Sequence, residues 1–351
     1  MNIGLIGSGN ISGTHARAAS ATAGVRVSAV YGRNAERVER LAAEHGARAY
    51  TELEPFLEHE PMDMVAIGTP SGLHATHGTA AARRGLHVLV EKPIDVTTAR
   101  ADALIDAARE HRVKLGVFFQ DRFAPGLREL KALVDEGRLG RPILASARVP
   151  WFRPREYYSG SSWRGTRALD GGGALMNQGV HTVDLLLWIL GPVRRVLAMT
   201  ATAWHTIEVE DIAAALLEFE NGAVATLEAT TAAFPGYPRR IDVTGTEGTA
   251  IVEDNRLVAV DLRSSDIRAA AASTGAIRPA SASSPIVADA SGHRAVLEDF
   301  MRAIAEDRAP ACDGAEARRS VAVIEAIYQS ARRGAAVEVQ DWSNLSQRNA
   351  L

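Results

Sequence analysis

The first third of the chain alternates short apolar runs with longer amphipathic stretches. The apolar runs are Asn2–Ile6, Val25–Tyr31, Asp63–Gly68 and His87–Val90, and each has the length and composition of a buried strand. The segments between them repeat apolar residues with helical spacing. Strands and helices that take turns along a chain predict a parallel sheet with helices on both faces. We therefore expect an α/β domain with a doubly wound Rossmann sheet over residues 1–121.

The remaining residues, 122–351, carry a different pattern, in which β runs such as Val196–His205 are separated by turn residues. Asn221-Gly222 is a two-residue hairpin signal, and Thr246-Glu247-Gly248 marks a second turn. Strands joined by turns this short are antiparallel. We expect an α+β domain with an open, mainly antiparallel sheet, followed by two amphipathic helices that can pack back on the first domain. The Ala- and Ser-rich stretch Ser264–Ser291 predicts a flexible loop.

Asp170–Pro192 combines a run of three glycines with a helical pattern. Apolar residues three or four positions apart form one face of this helix, and Asn177, His181 and Asp184 form a polar stripe beside it. A helix that buries one side can present an amide, an imidazole and a carboxylate to a cleft. This stretch is therefore the candidate active-site helix, and a solvated surface histidine is the competing interpretation.

The turn after the first predicted strand reads Gly7-Ser8-Gly9-Asn10-Ile11-Ser12. Gly7 permits a tight turn, and Gly9 lets the backbone approach a pyrophosphate, which amides at the start of the following helix would bind. Ser12 stands where the usual fingerprint has a third glycine, and its small side chain still allows close packing of helix and strand. Because the motif lies between a strand and a helix, it predicts a dinucleotide-binding site.

The end of the second predicted strand bears on the choice of cofactor. NAD-binding proteins usually have an acidic residue there, which binds the 2′-hydroxyl of the ribose. This chain instead has Arg33 and Asn34, with Arg37 one helical turn later. A guanidinium can bind a 2′-phosphate through two hydrogen bonds, so the pattern favours NADP(H). NAD(H) is the alternative, with Arg33 stacked on the adenine.

Two loops at the carboxyl ends of predicted strands carry further candidates, because ligands of doubly wound sheets bind at those ends. Thr69 and Pro70 precede His74 in one loop, and Glu91-Lys92-Pro93 forms the other. We expect these residues to contact the cofactor. Lys92, fixed between a glutamate and a proline, can also bring an ammonium to a substrate hydroxyl. A cis peptide bond between Lys92 and Pro93 is compatible with the sequence.

His74 and His77 lie one helical turn apart and have the spacing of a metal pair. No third ligand stands near them in the sequence, so we predict no metal site. The preferred interpretation places His77 in solvent and His74 near the nicotinamide.

Composition narrows the class of protein. The chain has 351 residues, enough for two domains, and a net charge of -3 with both signs spread along it. This balance argues against binding to nucleic acid or to a membrane surface. Cys312 is the single cysteine, which fits a reducing compartment. The first strand begins at Asn2 and leaves no room for a signal peptide, so we expect a cytoplasmic protein.

The motifs GSGNIS, EKP and GGGALMNQGVHTVD occur in this order along the chain. Together they resemble the Gfo/Idh/MocA family, the group of glucose–fructose oxidoreductase and inositol dehydrogenase, over nearly the whole chain. The resemblance implies an NAD(P)-dependent oxidoreductase of two domains. Such an enzyme transfers hydride between nicotinamide C4 and a carbinol or carbonyl carbon of a sugar, sugar derivative or cyclitol. The resemblance also implies a homodimer or homotetramer built through the antiparallel sheet.

The same resemblance assigns the catalytic lysine of the family to Lys92 and its catalytic histidine to His181. Many members have an aspartate four residues before that histidine, where this chain has Asn177. An amide can orient a hydroxyl or an imidazole but cannot take a proton, so Lys92 and His181 must carry the acid–base chemistry. Arg164 resembles a family element that contacts the amide or ribose of the cofactor. Arg122 is expected to form a structural ion pair.

Side chains around the polar stripe give two further expectations. Asp184 should anchor the helix or His181 rather than react. The substrate face should be aromatic and basic, with a solvated loop of packed aromatics as the competing interpretation. Its expected members are Arg153, Arg155, Tyr157, Tyr158 and the loop from Phe234 to Tyr237.

Two other function classes fit the same motifs. One is a non-catalytic dinucleotide-binding sensor, as in the galactose-pathway repressor of yeasts. The other is a redox-neutral enzyme that keeps its nucleotide bound and recycles it. The presence of both Lys92 and His181 favours the dehydrogenase.

Overall fold

The computed structural model describes residues 1–263, 269–270, 282 and 289–339. These residues divide into two compact units. The first unit contains residues 1–120 and the described residues up to Arg318 in the C-terminal part, and the second contains the rest. Most of the predicted loop Ser264–Ser291 lies outside the described residues.

Six strands form a parallel sheet in the described part of the first unit. They are β1 Asn2–Ile6, β2 Arg26–Tyr31, β3 Arg48–Tyr50, β4 Met64–Ile67, β5 His87–Val90 and β6 Leu115–Val117. Their order is β3-β2-β1-β4-β5-β6, and every pair of neighbours is parallel. The connecting helices are α1 Asn10–Ser20, α2 Ala35–His45, α3 Leu53–Leu57, α4 His74–Arg83 and α5 Thr98–Glu110. The predicted doubly wound Rossmann sheet is confirmed.

The strands of this sheet are nearly all apolar because helices cover both of its faces. Leu5, Ile67 and Val90, from three adjacent strands, are each 0% exposed. Local signals set the helix bounds between the strands. Asn34 caps α2 by accepting a hydrogen bond from the amide of Arg37, and Gly46 ends this helix with a φ of 62°.

The second unit is built on a mixed sheet that has nine strands within the described ranges. They are β7 Pro142–Pro150, β8 Val193–Ala201, β9 Ile212–Phe219, β10 Val224–Thr230, β11 Arg240–Gly245, β12 Gly248–Glu253, β13 Arg256–Leu262, β14 Ala269–Ala270 and β15 Val337–Glu338. Their order is β14-β13-β12-β11-β7-β10-β9-β8-β15. The pair β7–β10 is parallel and the other pairs are antiparallel, which confirms the open, mainly antiparallel sheet.

The helices α6 Pro125–Asp135, α7 Arg155–Ser159 and α8 Val180–Leu190 belong to the second unit. Two longer helices follow near the C-terminus, α9 Ser291–Ala305 and α10 Gly314–Arg333. Both were expected from the amphipathic pattern of the sequence. In the described part of the chain, no helix combines the length and apolarity that crossing a bilayer requires.

One predicted strand ends earlier than expected. The pattern predicted a strand over Val196–His205, but β8 ends at Ala201. The carboxylate of Asp211 accepts hydrogen bonds from the amides of Ala203, Trp204 and His205, at 2.8 Å each. These amides bond to a side chain instead of a neighbouring strand, so the chain leaves the sheet here.

The two faces of the mixed sheet differ in exposure. Along β9 the residues alternate between buried and exposed, as expected for a sheet with one covered face. The uncovered face nevertheless carries many apolar side chains. Those that are exposed include Leu144, Leu197, Met199, Ile212, Leu216 and Val224. In the strand register Leu197 lies opposite Leu216, and Val224 lies opposite Leu144, while Arg148 and Glu228 form an exposed ion pair on the same face.

Candidate functional site

The turn between β1 and α1 has the geometry that a pyrophosphate needs. Gly7 has a φ of 121°, and a Cβ at this position would lie 2.8 Å from both the Gly68 carbonyl oxygen and the Ser12 Oγ. At Gly9, a Cβ would meet no described atom within 4 Å. Gly9 also precedes the first residue of α1, and no side chain among the described residues caps this helix. The start of α1 therefore offers backbone amides and open space to an anionic group.

At the end of β2, Gly32 lies close to this turn, because a Cβ there would approach the Ser8 Oγ to 2.8 Å. Asn34 uses its side-chain oxygen to accept the amide of Arg37 at 2.9 Å. Arg33 and Arg37 themselves are exposed. The arrangement keeps Asn34 in a structural role and places two guanidinium groups at this edge of the sheet.

The loops that follow β4 and β5 are tied together by His74, which is 1% exposed. Its Nδ1 lies 2.8 Å from the Pro93 carbonyl oxygen, and its Nε2 lies 2.9 Å from the Thr69 carbonyl oxygen. The peptide bond between Lys92 and Pro93 is cis, as the sequence allowed. His74 thus fixes the two loops that carry Thr69 and Lys92 at the carboxyl edge of the sheet.

The expectation that His77 is solvated is wrong. This residue is 9% exposed, and its Nδ1 lies 3.2 Å from the Thr69 Oγ1. Burial, together with His74 and Arg33, lowers the pKa of His77 to about 4. The ring is on the face of α4 that packs toward the sheet, and the polar identity of the residue hid this from the sequence pattern.

A buried cluster links α1, β5 and α9 through His15, Glu91 and His293. The Glu91 Oε1 lies 2.8 Å from the His15 Nε2 and 3.2 Å from the His293 Nε2. Burial opposes ionisation of Glu91, but hydrogen bonds from both histidines outweigh it and hold the pKa of this carboxyl well below its usual range. Burial also lowers the pKa of His15, whose ring stacks on Phe118 with centroids 4.4 Å apart.

In this cluster the potential ligand atoms of His15, Glu91 and His293 lie within 4.8 Å of one another, close enough to hold a metal ion. His74 and His77 are not part of such a group. The separations of 2.8 and 3.2 Å between nitrogen and oxygen are those of hydrogen bonds. The geometry is therefore that of a carboxylate fixed by two imidazole donors just before Lys92.

The three glycines before the candidate helix allow the backbone to pack closely. A Cβ on Gly173 would overlap the Glu210 carbonyl oxygen, and one on Gly172 would overlap the hydroxyl oxygen of Tyr328. The Glu210 carboxylate accepts the amides of Gly173 and Leu175 at 3.1 and 2.8 Å, and the Tyr328 hydroxyl at 2.8 Å. The chain then forms a π-helical turn, Ala174–Gly179, before α8 begins. A π turn inside a helix is frequent at functional sites.

The π turn carries Asn177, whose amide bonds to two polar side chains. Its Nδ2 donates to the Asp170 Oδ1, and its Oδ1 accepts from the Gln178 Nε2 at 2.9 Å. The other Asp170 oxygen accepts the amide of Gly165 at 2.7 Å. Asn177 is therefore positioned by its own neighbours.

His181 lies in the first turn of α8 and is 7% exposed. Its Nδ1 lies 3.8 Å from the Asp121 Oδ2, which also accepts a hydrogen bond from the Arg239 Nη1 at 2.6 Å. Burial opposes ionisation of Asp121, but Arg239 and His181 hold the pKa of its carboxyl below the usual range. Asp121 is therefore ionised and lies beside the imidazole.

Asp184, the third member of the stripe, binds Arg122 through two hydrogen bonds. The Arg122 Nε–Asp184 Oδ2 distance is 2.8 Å and the Nη2–Oδ1 distance is 2.6 Å. The two side chains are 4% and 1% exposed. This pair anchors α8 to the segment before α6, as expected for Asp184 and Arg122.

The expected substrate face is largely buried in the described structure. Arg153, Tyr157 and Tyr158 are 2%, 9% and 6% exposed. The Arg153 Nη2 donates to the Gln178 Oε1 at 2.8 Å, so this arginine supports the end of the π turn. Arg164 lies over the ring of Tyr157 at 4.3 Å. The exposed members are Arg155, Phe234 and Tyr237.

Several residues of this arrangement gave no sequence signal. His15 and His293 are far apart in the chain, and neither lies in a motif that suggests a carboxylate partner. Asp121 lies next to Arg122, for which only a structural ion pair was expected. A fixed spacing cannot reveal a contact that spans 60 residues of a folded chain. Glu210 and Asp211 are adjacent acidic residues just before the apolar strand β9, and this pair was a hint that acidic side chains have a structural role there.

Comparison with known proteins agrees with these features. Residues 1–119 match the family model described as an oxidoreductase family with an NAD-binding Rossmann fold, and residues 127–251 match the GFO/IDH/MocA C-terminal domain. The chain is 30% identical to the 1,5-anhydro-D-fructose reductase of Ensifer adhaerens over 96% of this chain and 98% of that protein. It is 28% identical to the inositol 2-dehydrogenase of Rhizobium meliloti over 76% of this chain and 79% of that protein.

A solved structure is similar over almost the entire chain. It is the WlbA dehydrogenase of Bordetella pertussis in complex with NADH and UDP-GlcNAcA, with a TM-score of 0.86 and 31% identity. The match covers 97% of this chain and 99% of that one. Family membership accounts for the glycine turn, the parallel sheet and the mixed sheet described above. The relatives named here are a dehydrogenase and a reductase, which act on CH–OH groups or the corresponding carbonyls. The chain belongs to the Gfo/Idh/MocA family of NAD-binding oxidoreductases.

Proposed function

We propose that this protein transfers hydride between C4 of a nicotinamide and a carbinol or carbonyl carbon of a sugar, sugar derivative or cyclitol. The observation that supports this most directly is the setting of His181. It is buried on α8, immediately after a π turn, beside the ionised carboxylate of Asp121. A buried imidazole next to a carboxylate is a common arrangement for a general base.

The nicotinamide dinucleotide, when bound, supplies or accepts the hydride. In the oxidative direction His181 takes the proton of the substrate hydroxyl, since the reference pKa of histidine, ~6.5, lies near neutral pH. The ammonium of Lys92 stabilises the negative charge that develops on the same oxygen. In the reductive direction the two residues act in reverse, with His181 as the proton donor.

Asn177 orients the substrate in this proposal and transfers no proton. Its amide already bonds to Asp170 and Gln178, which fixes the plane of the side chain. An amide has no ionisable proton near neutral pH. The acid–base work therefore rests on Lys92 and His181.

The residues of the first unit support a dinucleotide at the glycine turn. Gly7, Ser8, Gly9, Asn10 and Ile11 would hold the pyrophosphate, and the loops with Thr69, Pro70, His74 and Lys92 would hold the nicotinamide end. Glu91 was also expected to contact the cofactor, but its carboxylate is engaged by two histidines, so its proposed role is to fix the loop in which Lys92 follows it. Arg164 is proposed to contact the amide or ribose of the cofactor.

We infer a preference for NADP(H) over NAD(H) from the end of β2. The exposed Arg33 and Arg37 stand where an acidic residue would bind the ribose hydroxyls of NAD. Two guanidinium groups suit a 2′-phosphate. The complex of the similar WlbA dehydrogenase contains NADH, so the preference needs a direct test.

The substrate class rests on the relatives. They include an inositol 2-dehydrogenase and a 1,5-anhydro-D-fructose reductase, and both names denote polyhydroxylated rings. The exposed Phe234 and Tyr237, which are 76% and 51% exposed, offer aromatic rings of the kind that pack against sugar faces.

We also propose that the uncovered face of the mixed sheet joins two copies of this chain. Leu197, Met199 and Leu216 are exposed apolar side chains on two adjacent strands of this face, and clustered exposed apolar residues are typical of an interaction surface. Met199 is 78% exposed and lies opposite Ala214 in the register. A second sheet packed on this face would bury it, and Met199→Glu should then shift the protein to a smaller species in analytical ultracentrifugation.

A cytoplasmic location remains part of the proposal. Cys312 is buried and is the single cysteine of the sequence, so the chain cannot form an intrachain disulfide, which suits a reducing compartment. Fractionation of cells that express the full chain would test this location.

The proposed function is tested by mixing the protein with NADP⁺ or NAD⁺ and a panel of sugars and cyclitols. The absorbance of the reduced nicotinamide should rise with at least one substrate. A protein that binds the cofactor, as shown by thermal stabilisation, but never changes its redox state would support a sensor instead. A protein that is purified with cofactor already bound and catalyses a net redox-neutral conversion would support the recycling enzyme.

A further inference from the structure

The environment of His181 contains more than the helix that carries it. Asp121 lies before α6, Arg239 lies just before β11, and Asn255 lies in the turn between β12 and β13. The Arg239 Nη1 donates to the Asp121 Oδ2 at 2.6 Å, and the Asn255 Nδ2 lies 3.5 Å from the Asp121 Oδ1. Arg239 also donates to the Asn255 Oδ1. Side chains from α8, from the segment before β11 and from the turn between β12 and β13 thus surround the Asp121 carboxylate.

One oxygen of this carboxylate lies close to both His181 and Arg239. The Asp121 Oδ2 that binds Arg239 is also the atom that lies 3.8 Å from the His181 Nδ1. The distance exceeds that of a hydrogen bond, so the contact is electrostatic. The side chains of His181, Asp121 and Arg239 are 9%, 14% and 6% exposed, and water screens their charges little.

We propose that Asp121 and Arg239 are positioning residues that set the proton affinity of His181 in opposite directions. The carboxylate favours the imidazolium form of His181. The guanidinium, which binds the same oxygen, reduces this effect because it neutralises part of the carboxylate charge. This inference rests on the proposed role of His181 as acid and base, but the electrostatic relationship can be measured without turnover.

Other charged groups on the elements packed around His181 are held in pairs of their own. On α8 itself, Asp184 binds Arg122. On the preceding segment, Asp170 binds Asn177. On α6, Lys131 pairs with Asp135 and lies over the ring of Trp188. On β7, Arg148 pairs with Glu228 and is more than half exposed. Lys92 is unchanged in every variant below, so its effect is common to all of them.

The chain offers a matched set of substitutions. Asp121→Asn removes the carboxylate charge and keeps the size of the side chain. Arg239→Gln removes the guanidinium and leaves the carboxylate with less compensation. Arg240→Gln makes the same change at the next residue, where the arginine binds Asp242 and Glu253 instead of Asp121. Arg240→Gln is therefore the control for a general loss of positive charge.

The experiment is an NMR titration of the cofactor-free full chain labelled at histidine, with His181→Asn used to assign the His181 signal. Asp121→Asn should lower the titration midpoint of His181 by roughly 0.5–1 unit, and Arg239→Gln should raise it by a similar amount. The range lies below the usual effect of one neighbouring charge because the two residues share the oxygen. Arg240→Gln should leave the midpoint in place.

Opposite shifts in the two variants cannot arise from a general loosening of the fold, which would move both midpoints the same way. Midpoints that stay within about 0.2 unit of the parent in both variants, or that move in the same direction, overturn the inference. If one variant does not fold, the direction in which the His181 midpoint shifts in the other variant still tests the inference.

The pH–rate profile adds a readout that depends on turnover. The limb assigned to His181 in kcat/KM should move to lower pH in Asp121→Asn and to higher pH in Arg239→Gln. If no substrate is found, the proposed function fails while the NMR titration still tests the electrostatic relationship. If NMR midpoints shift and the limb does not, His181 is not the titrating base and the positioning role for catalysis is contradicted.

Discussion

Asp184 and Arg122 form a two-point ion pair, with distances of 2.8 and 2.6 Å, on the helix that carries His181. Asp184 was one of three polar residues in a single helical stripe, but the pair removes it from the chemistry. Its carboxylate is 1% exposed and faces a guanidinium rather than a cleft. Of the stripe, Asn177 and His181 remain as candidates for contact with the substrate.

Loss of either member of this pair should destabilise the second unit. Arg122→Ala should lower the free energy of unfolding by about 3–5 kcal/mol, because it leaves a buried carboxylate without its counter-charge. Arg84→Ala is the control, since Arg84 and Glu54 form a similar pair with side chains 42% and 68% exposed, and should cost at most about 1 kcal/mol. Urea denaturation followed by circular dichroism measures both. Equal small losses in the two variants would show that the buried pair does not anchor α8.

Lys92→Ala should lower kcat by at least ~10²-fold while the protein still binds the cofactor, because the ammonium is assigned to the charge on the substrate oxygen. Lys114→Ala is the matched control, since Lys114 pairs with Asp307 elsewhere in the first unit. Steady-state kinetics give kcat, and thermal shift with NADP(H) or NAD(H) reports binding. Turnover near the parent value in Lys92→Ala would remove this lysine from the mechanism.

We expect that Asn177→Asp does not create a functional catalytic aspartate. The new carboxylate would lie against Asp170, which is 0% exposed, and the two negative charges would raise the pKa of one of them. When the pKa of a carboxyl is higher in the folded protein than in the unfolded chain (~3.9), the folded protein loses stability as the pH rises from the unfolded pKa through the folded pKa. The variant should therefore be destabilised more at about pH 8 than at about pH 4.5.

Thermal unfolding of Asn177→Asp at the two pH values checks this, and Asp170→Asn in the same chain should restore stability at the higher pH. An Asn177→Asp variant with the parent's stability at both pH values would mean that the two side chains separate easily. In that case Asn177 is not fixed by Asp170.

Arg33→Ala should lower kcat/KM for NADPH by roughly 10-fold and change the value for NADH by less than about 2-fold, because only NADPH has the 2′-phosphate. Arg40→Ala is the control, as Arg40 is exposed on α2 outside the end of β2. Equal losses for both cofactors, or a parent protein that prefers NADH, would contradict the assignment of Arg33.

The sequence predicted the elements whose pattern is local. The apolar runs of β1, β4 and β5 are buried on both faces, so their residues are apolar without interruption and predict a parallel sheet. Asn221-Gly222 predicted the hairpin between β9 and β10, which is formed, but its loop has three residues, 220–222, instead of the expected two, and Gly222 has a φ of 84°. His77 was misjudged because a polar residue on a buried helix face breaks the pattern. It is buried against Thr69, a contact that follows from the fold.

The candidate site depended on contacts that no local pattern contains. The π turn at Asn177 is set by Glu210, which binds the amides of Gly173 and Leu175. The setting of His181 depends on Asp121 and Arg239, each about 60 residues away along the chain. Motifs identified the candidate side chains, and the structure adds the residues that contact them.

Hydride transfer can be followed with a substrate deuterated at the carbinol carbon. The protein, the oxidised dinucleotide and the deuterated substrate are incubated, and the cofactor is analysed by mass spectrometry. We expect one deuterium in the reduced nicotinamide, and loss of this label transfer in His181→Asn. Product formation with no deuterium in the nicotinamide would exclude hydride transfer from this carbon to the cofactor.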